Sequence, residues 1–372
     1  MTEITLKNGR RRGQVSAPRS KSHEHRLIIS DFLAGDMSRL APAEDDADDI
    51  VATKRCLAAL ATDDPTPLLD CGESGSTRRF LAPIAAALGK RPVYKTTGRL
   101  AERPQIAYDD IAPGEFVLKG DVSSQFVTGL LFALPLLDGD STIRFSSPLQ
   151  SKDYVEMTRR VLIGAGIYLG VSEDGFDIPG GQTYHSQPDA KVEGDWSGAA
   201  FWYGMNALGS EVMVEGLSKD SVQPDRAVVE LARRISTAWT NEKISVDVSG
   251  CPDIFPVLSV VAGASPGETL FTGTRRLRIK ESDRVEAMAN ALRRFGVSTS
   301  AEENSFVVRG VGGPLRGGSF ESCSDHRIAM AVAVGATVAD GPVEIDDVSC
   351  AAKSYPSFFD TLASLNFVEV MV

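Results

Sequence analysis

Serines, acids and basic residues gather directly before six apolar runs of the sequence. The clusters read "SKSHEHR" before Leu27, "GESGSTRR" before Phe80, "VSSQ" before Phe126, "DWSG" before Ala199, "CPD" before Ile254 and "SDHR" before Ile328. A helix start carries unpaired N–H groups and roughly half a positive charge, so Ser, Thr or Asp there is commonly an N-cap. Capping therefore explains any one of these serines taken alone.

Capping does not explain the cations in the same clusters, which are Lys21, Arg26, Arg78, Arg79 and Arg327. A positive side chain at a positive helix end is unfavourable unless an anion joins it. A lone Lys or Arg is usually a solvated surface charge, but five at the same kind of position predict an anion site. Loop cations either belong to that site or form surface ion pairs. These are Arg99, Arg103, Arg276, Lys280, Arg284 and Lys353.

Two stretches of the chain repeat each other and show what must position these groups. Residues 153–180 align with residues 283–310 without a gap, and Asp, Val, Glu, Gly, Phe and Gly coincide. Each stretch predicts an amphipathic helix that ends at a left-handed glycine, Gly166 or Gly296. Two short strands joined by a polar turn are predicted to follow each helix. Each stretch is therefore a helix and hairpin.

The six apolar runs form a second repeat. Each predicts a helix that ends near a glycine, and short strands follow in most of the units. The closing glycines are Gly35, Gly89, Gly139, Gly209, Gly267 and Gly341. Helices that are apolar on nearly all sides belong in an interior. We therefore predict an α/β (α+β) fold with two domains of three units each, in which "LATDDPTPLLDCG" leaves the first unit without a hairpin.

Length and composition limit the function classes. Because the chain has 372 residues, two domains are expected. Its formal net charge of -11 disfavours a nucleic-acid partner. No apolar stretch reaches the ~18 residues of a membrane span, and "MTEITLKNGRRRG" is not a signal peptide, so we expect a cytoplasmic protein. The five cysteines are widely spaced and predict free, mostly buried thiols. The H-x-H pair His23 and His25 has no third ligand nearby, so no metal is expected.

Ten ordered motifs resemble those of the EPSP synthases (3-phosphoshikimate 1-carboxyvinyltransferases) of the enolpyruvyl transferase family. They are "SKSHEHR", "GESGSTRRFLAP", "RLAERP", "DVSSQF", "SKDY", "VEGDWSGA", "DIFPVLSV", "RIKESDR", "SDHRIAM" and "CAAKSYPSFF". The resemblance implies a two-domain inside-out α/β barrel, with residues 1–19 plus 193–372 as one domain and 20–192 as the other. It places the active site in the cleft between the domains.

The same resemblance implies an activity. The enzyme would transfer the enolpyruvyl group of phosphoenolpyruvate to the 5-hydroxyl of shikimate 3-phosphate, in the shikimate pathway of aromatic amino-acid biosynthesis. No cofactor, nucleic acid or membrane is implied, a monomer is expected, and the herbicide glyphosate would compete with phosphoenolpyruvate. Each of the two substrates carries a carboxylate and a phosphate, so four anionic groups must share one cleft. Their binding requires dense positive charge.

The resemblance also assigns residues to roles. Shikimate 3-phosphate would contact Lys21, Ser22, Arg26, Ser123, Ser124, Gln125, Ser151, Tyr154, Asp253 and Lys280. Phosphoenolpyruvate would contact Lys21, Gly75, Arg99, Gln125, Arg284, His326, Arg327 and Lys353. Asp253 and Glu281, supported by Lys21, would exchange protons with the reacting groups, because carboxylates among cations can act as acid and base in turn. Taken alone, Asp253 is equally well an N-cap, Glu281 an exposed first-turn acid, and His326 a structural histidine.

The chain departs from the family pattern at several positions. His23, Glu24 and His25 replace small or apolar residues, Arg19 stands where glycine is usual, and Glu73 replaces an asparagine. Arg276 also lies where some members have an asparagine that faces the substrate.

Two alternatives remain open. One is transfer of enolpyruvyl to a UDP-linked amino sugar, although no cysteine falls between Cys71 and Cys251, where such enzymes carry one. The other is a phosphosugar-binding or regulatory protein that has lost catalysis. The intact Lys21, Asp253, Glu281 and Arg327 argue against this second alternative.

Overall fold

The computed structural model describes residues 2–240 and 242–368, which form two compact units. Arg19–Glu193 is the continuous unit, and the chain on both sides of it is the discontinuous unit. Each unit has its own core of buried apolar side chains. None of the helices in the described ranges has both the length and the apolar character of a membrane span.

The helices of the described residues are of two kinds, interior and peripheral. They are α1 Lys21–Leu33, α2 Asp48–Leu60, α3 Gly75–Ala87, α4 Ser124–Ala133, α5 Lys152–Gly164, α6 Trp196–Ala207, α7 Val228–Ser236, α8 Phe255–Ala264, α9 Arg284–Arg294, α10 His326–Ala336 and α11 Phe358–Ser364. Helices α1, α3, α4, α6, α8 and α10 carry the six apolar runs, and most of their residues are buried. The prediction of six interior helices is confirmed.

The strands are short. They are β1 Ile4–Leu6, β2 Arg11–Ser16, β3 Leu68–Gly72, β4 Val93–Thr96, β5 Glu115–Lys119, β6 Ser141–Ser147, β7 Gly170–Val171, β8 Gly175–Ile178, β9 Glu211–Glu215, β10 Lys243–Asp247, β11 Glu268–Thr272, β12 Ser298–Ala301, β13 Ser305–Arg309, β14 Gly318–Phe320, β15 Val343–Ile345 and β16 Asn366–Phe367. Over residues 2–240 and 242–368 they form five sheets, each of which lies within one unit or the other.

Two four-stranded sheets have the same topology and confirm the sequence repeat. One has the order β5-β6-β8-β7 and the other β10-β11-β13-β12. In both, the first pair is parallel and the other two pairs are antiparallel. The preceding helices end as predicted, with Gly166 at φ 79° and Gly296 at φ 85°. Each sheet is therefore a β-α-β-α unit closed by a hairpin.

The hairpin is missing from the unit that the sequence predicts to be truncated. Helix α2 ends at Leu60 and β3 begins at Leu68, and the described residues between them contain no strand. Within the described part of the chain, strand β3 pairs only with β4, in parallel.

The polar clusters extend into the first turns of the interior helices, except for "CPD", which lies at a 3-10 helix directly before α8. Side-chain oxygens of Ser20, Ser74, Ser123, Asp195 and Asp325 cap α1, α3, α4, α6 and α10 by accepting backbone N–H bonds. Capping therefore accounts for one residue of each of these clusters. It leaves the cations that follow to be explained by the site.

Candidate active site

Several predicted residues of the discontinuous unit meet around Arg284, the first residue of α9. Its guanidinium donates to three carboxylates, each at 2.8 Å: Nε to Oδ2 of Asp325, Nη1 to Oδ1 of Asp253 and Nη2 to Oε2 of Glu281. Arg284 is only 1% exposed. Burial opposes its charge, but Asp325, Glu281 and Asp253 raise its pKa above the usual range. Arg284 is thus a permanent cation that holds the two predicted catalytic carboxylates in place.

Asp253 lies in a short 3-10 helix, Pro252–Ile254, directly before α8. Its carboxylate accepts hydrogen bonds from Arg327 Nη2 at 3.1 Å and from Lys280 Nζ at 3.5 Å, besides that from Arg284. Burial would favour the neutral acid, but Arg327, Lys280 and Arg284 hold the pKa of Asp253 well below its usual range. Asp253 is therefore ionised at neutral pH.

The ammonium group of Lys280 loses its proton more easily than that of an ordinary lysine. Burial and the neighbouring Arg284 lower its pKa to about 8, and Asp253 only partly opposes this. Its positive charge therefore disappears over a pH range in which an ordinary lysine remains protonated.

Asp325 is a member of this cluster that the sequence did not assign to the site. It is fully buried, accepts from Arg284 and from Ser282 Oγ at 3.0 Å, and caps α10 through the N–H of Arg327 at 3.0 Å. Arg284 holds the pKa of Asp325 below its usual range although burial opposes this. The sequence signal was an acid directly before His326 and Arg327, which reads simply as an N-cap.

His326 and Lys353 lie in the same unit. His326 opens α10 and is 1% exposed, with Nδ1 3.7 Å from Oδ1 of Asp325. Lys353 ends a 3-10 helix, Ser349–Lys353, and is 5% exposed.

In the continuous unit, Lys21 and Arg26 lie on α1. Lys21 donates through Nζ to Oδ2 of Asp49, the second residue of α2, at 2.7 Å. Arg26 is 3% exposed, and within the described residues all its hydrogen-bond acceptors are uncharged oxygens. They are Thr158 Oγ1 at 2.8 Å, the Tyr154 carbonyl at 3.0 Å, Thr128 Oγ1 at 3.4 Å and the Ser22 carbonyl. Burial lowers the pKa of Arg26 to about 10, so it stays charged at neutral pH.

Gln125, on α4, is connected to the start of α3 by two hydrogen bonds. Its amide nitrogen donates to Ser76 Oγ at 2.9 Å, and its carbonyl oxygen accepts from Arg79 Nη1 at 2.6 Å. Arg79 also donates to the Pro104 carbonyl, at 3.2 Å from Nε and 3.1 Å from Nη2. Arg79 therefore joins α3, Gln125 and the last residue of "RLAERP".

Other predicted residues of this unit occupy the starts of helices. Ser123 caps α4 and Ser124 is its first residue. Ser151 precedes α5 with φ 55°, a left-handed conformation that is uncommon outside glycine and often marks functional sites, and Tyr154 lies in the first turn. Arg99 lies in the 3-10 helix Gly98–Glu102 and is 44% exposed, with Nε 3.9 Å from Glu102.

The residues that depart from the family pattern have protein partners. Arg19 pairs with Glu24, Asp45 and Asp46. His23 accepts the N–H of Glu193 through Nδ1 at 3.2 Å, while His25 Nδ1 contacts Thr53 Oγ1 at 2.8 Å. Within the described residues no group of three His, Cys, Asp or Glu could hold a metal ion. None of the five cysteines, all of which lie in the described residues, forms a disulfide bond, and Cys56, Cys71 and Cys251 are buried, as predicted.

The fold is shared with solved structures of enolpyruvyl transferases. An EPSP synthase from Acinetobacter baumannii superimposes with a TM-score of 0.73 at 21% identity, over 98% of each chain. The enolpyruvyl transferase NikO from Streptomyces tendae superimposes with a TM-score of 0.67 at 14% identity, over 98% of this chain and 97% of NikO. These likenesses establish the class of fold.

Sequence comparison defines the family within that class. Residues 98–362 match the profile described as EPSP synthase (3-phosphoshikimate 1-carboxyvinyltransferase). A 3-phosphoshikimate 1-carboxyvinyltransferase from Clostridium kluyveri is 36% identical over 98% of this chain and 97% of its own length. One from Clostridioides difficile is 36% identical over 93% of each chain. The chain belongs to the EPSP synthase family.

Proposed function

We propose that the protein transfers the enolpyruvyl group of phosphoenolpyruvate to the 5-hydroxyl of shikimate 3-phosphate, releasing phosphate. The observation that carries this proposal is the cluster of Asp253, Lys280, Glu281, Arg284 and Arg327 in a member of this family. It combines two carboxylates with three cations in one contact network. Such a network can bind anions and exchange protons at the same place.

The proposed reaction is an addition followed by an elimination. The 5-hydroxyl loses its proton and its oxygen attacks C2 of phosphoenolpyruvate, while C3 gains a proton. The tetrahedral adduct then loses a proton from C3 and expels phosphate, which restores the double bond. Asp253 and Glu281 exchange these protons, and Lys21 supports them.

The charges around Asp253 suit this alternation. Without substrate, Asp253 is a weak base because Arg327 and Lys280 hold its pKa low. An anionic substrate bound to Arg327 or Lys280 offsets their charge and so raises the basicity of Asp253. Basicity would therefore rise when the substrate arrives.

The predicted contacts are retained as part of the proposal. Shikimate 3-phosphate binds Lys21, Ser22, Arg26, Ser123, Ser124, Gln125, Ser151, Tyr154, Asp253 and Lys280. Phosphoenolpyruvate binds Lys21, Gly75, Arg99, Gln125, Arg284, His326, Arg327 and Lys353. Arg26 supports the first set, because a buried guanidinium among uncharged acceptors attracts an anion. Residues of both sets are proposed to serve one active site in a cleft between residues 20–192 and the rest of the chain.

We further propose a cytoplasmic monomer that acts on small molecules without a cofactor. Light scattering on a size-exclusion column measures the mass directly. A mass near 39.8 kDa is expected, and a stable dimer would contradict the proposal.

Phosphate release tests the proposed reaction. The purified protein is supplied with phosphoenolpyruvate and either shikimate 3-phosphate or UDP-N-acetylglucosamine, and phosphate is measured over time. Release is expected only with shikimate 3-phosphate, and Glu281→Gln should abolish most of it. Release only with the amino sugar would identify the alternative transferase. Calorimetric binding of shikimate 3-phosphate without any release would indicate a binding protein instead.

A further inference from the structure

Four buried polar side chains form one continuous hydrogen-bonded chain from α1 to the start of α3. His25 Nδ1 lies 2.8 Å from Thr53 Oγ1, which lies 2.6 Å from Thr77 Oγ1, and Thr77 Oγ1 donates to Ser74 Oγ at 2.7 Å. His25 and Ser74 are 1% exposed and both threonines are fully buried. We refer to His25, Thr53, Thr77 and Ser74 as the His25 relay.

Proton counting fixes the direction of the relay, because each hydroxyl has only one hydrogen to donate. Thr77 donates to Ser74 Oγ, or at 3.4 Å to the Asp49 carbonyl, and in either case its hydrogen is not available to Thr53. Thr53 must therefore donate to Thr77. Within the described residues, the remaining hydroxyl contact of Thr53 is His25. His25 must then carry its hydrogen on Nδ1 and donate it to Thr53.

The relay ends at the residue that caps α3. Ser74 Oγ accepts the N–H of Thr77 at 3.3 Å besides the hydroxyl of Thr77. The next two residues are Gly75 and Ser76, and Ser76 Oγ receives the amide of Gln125. The relay therefore orients the first turn of α3, to which the side chain of Gln125 is hydrogen-bonded.

The relay also includes a residue of α2, the helix whose Asp49 accepts a hydrogen bond from Lys21. Thr53 belongs to α2, and the Asp49 carbonyl that Thr77 approaches belongs to the residue whose carboxylate binds Lys21. A change at His25 can thus reach Gly75, Gln125 and Lys21 without touching them.

We infer that His25 is a positioning residue for phosphoenolpyruvate, acting through the relay on the first turn of α3; this inference rests on the proposed function. The resemblance in sequence implies a small or apolar residue at this position, where this chain has His25. Since an imidazole protonated on Nδ1 donates whether it is neutral or charged, the relay should persist when His25 gains a second proton. Phosphoenolpyruvate binding should therefore need the Nδ1 hydrogen and not the charge of His25.

The test compares two variants of nearly equal size. The asparagine of His25→Asn places an amide N–H near the position of Nδ1, whereas the leucine of His25→Leu has no hydrogen to donate. His25→Leu should raise the Michaelis constant for phosphoenolpyruvate about two- to tenfold, the effect of losing one neutral hydrogen bond. His25→Asn should stay within about twofold of the wild type. In His25→Leu the constant for shikimate 3-phosphate should rise less than that for phosphoenolpyruvate, because Gly75 is assigned to phosphoenolpyruvate alone whereas Gln125 and Lys21 are assigned to both substrates. Thr53→Val should resemble His25→Leu, and adding it to His25→Leu should cause no further increase.

Two results overturn the inference: equal effects of His25→Leu and His25→Asn, or equal effects of His25→Leu on both substrates. Ser259→Ala, which removes a buried hydroxyl from α8, controls for general loosening and should leave both constants unchanged.

A measurement on the wild type does not depend on activity or on variants that fold poorly. Nitrogen-15 NMR distinguishes the two neutral histidine tautomers, and the relay requires the Nδ1–H form of His25. An Nε2–H tautomer overturns the relay even if the enzyme is active. An Nδ1–H tautomer in a protein that releases no phosphate overturns the proposed function, and the positioning role that rests on it, while leaving the relay intact.

Discussion

Arg284 and Asp325 are joined by two hydrogen bonds, from Nε to Oδ2 at 2.8 Å and from Nη2 to Oδ1 at 3.3 Å. The same carboxylate caps α10, where His326 and Arg327 follow. One buried acid therefore orients a cation on α9 and starts the helix that carries two other predicted site residues.

Replacing Asp325 with asparagine separates these two roles. Asparagine caps helices as well as aspartate does, so α10 should keep its start while Arg284 loses a charged partner. We expect turnover to fall at least tenfold, in addition to a loss of about 1–3 kcal/mol in the free energy of unfolding. Steady-state rates and urea unfolding measure the two effects. The control is Asp283→Asn, at the half-exposed N-cap of α9, which should lower neither quantity much. Wild-type turnover and stability in Asp325→Asn would show that Asp325 matters only as a cap.

Asp253→Ala and Glu281→Ala should affect turnover much more than binding of shikimate 3-phosphate. General acid–base catalysis contributes ~10²- to 10⁴-fold, so we expect rate losses of that order. Rates and calorimetric affinities together provide the comparison, with Glu286→Ala, an exposed acid on α9, as the control. Wild-type turnover in the Asp253 variant would eliminate its proposed catalytic role.

Binding of shikimate 3-phosphate should weaken as the pH rises through about 8. Lys280 loses its proton there because its pKa is lowered to about 8, and the neutral amine no longer attracts an anion. Calorimetry between pH 6.5 and 9.5, a range of about three units around that pKa, should show affinity falling by up to about tenfold per unit above it. It should also show proton uptake on binding. Lys280→Arg stays charged and should flatten the profile; an equally steep fall in this variant would assign the titration to another group.

Gly75→Ala should weaken glyphosate more than phosphoenolpyruvate. The added methyl would lie 3.0 Å from Arg79 Nη1 and 3.3 Å from Arg103 Nη1, so both guanidinium groups must shift slightly. Because Arg79 holds Gln125, we expect the Michaelis constant for phosphoenolpyruvate to rise as well, though less than the inhibition constant of glyphosate. Both constants should stay unchanged in Gly313→Ala, where the structure leaves room for a methyl group. If the ratio of the glyphosate inhibition constant to the phosphoenolpyruvate Michaelis constant is the same in Gly75→Ala as in the wild type, Gly75 does not lie in the binding site.

The sequence predicted the repeated architecture because its signals are local. Apolar runs, closing glycines such as Gly166 and Gly296, and capping residues each depend on neighbours within a few positions. The resemblance to a family then supplied the site residues. Physical reasoning from the residues alone reached only an anion site at helix starts.

Asp325 and His25 show why the remainder could not be predicted. Asp325 lies 41 positions from Arg284, and Thr53 lies 28 from His25, so their contacts depend on the tertiary packing of separate helices. Both residues also had adequate local interpretations, as an N-cap and as part of an H-x-H pair. Only the spatial arrangement shows that each is hydrogen-bonded to a distant partner.

The missing hairpin between α2 and β3 also shows which part of the repeated unit the fold can do without. The interior helices of all three units of Arg19–Glu193 are retained, with the polar residues at their starts. One unit therefore keeps its interior helix although the described residues after α2 lack the peripheral hairpin of its neighbour. Residues 61–67 mark a natural junction where a reporter peptide could be inserted into the coding sequence.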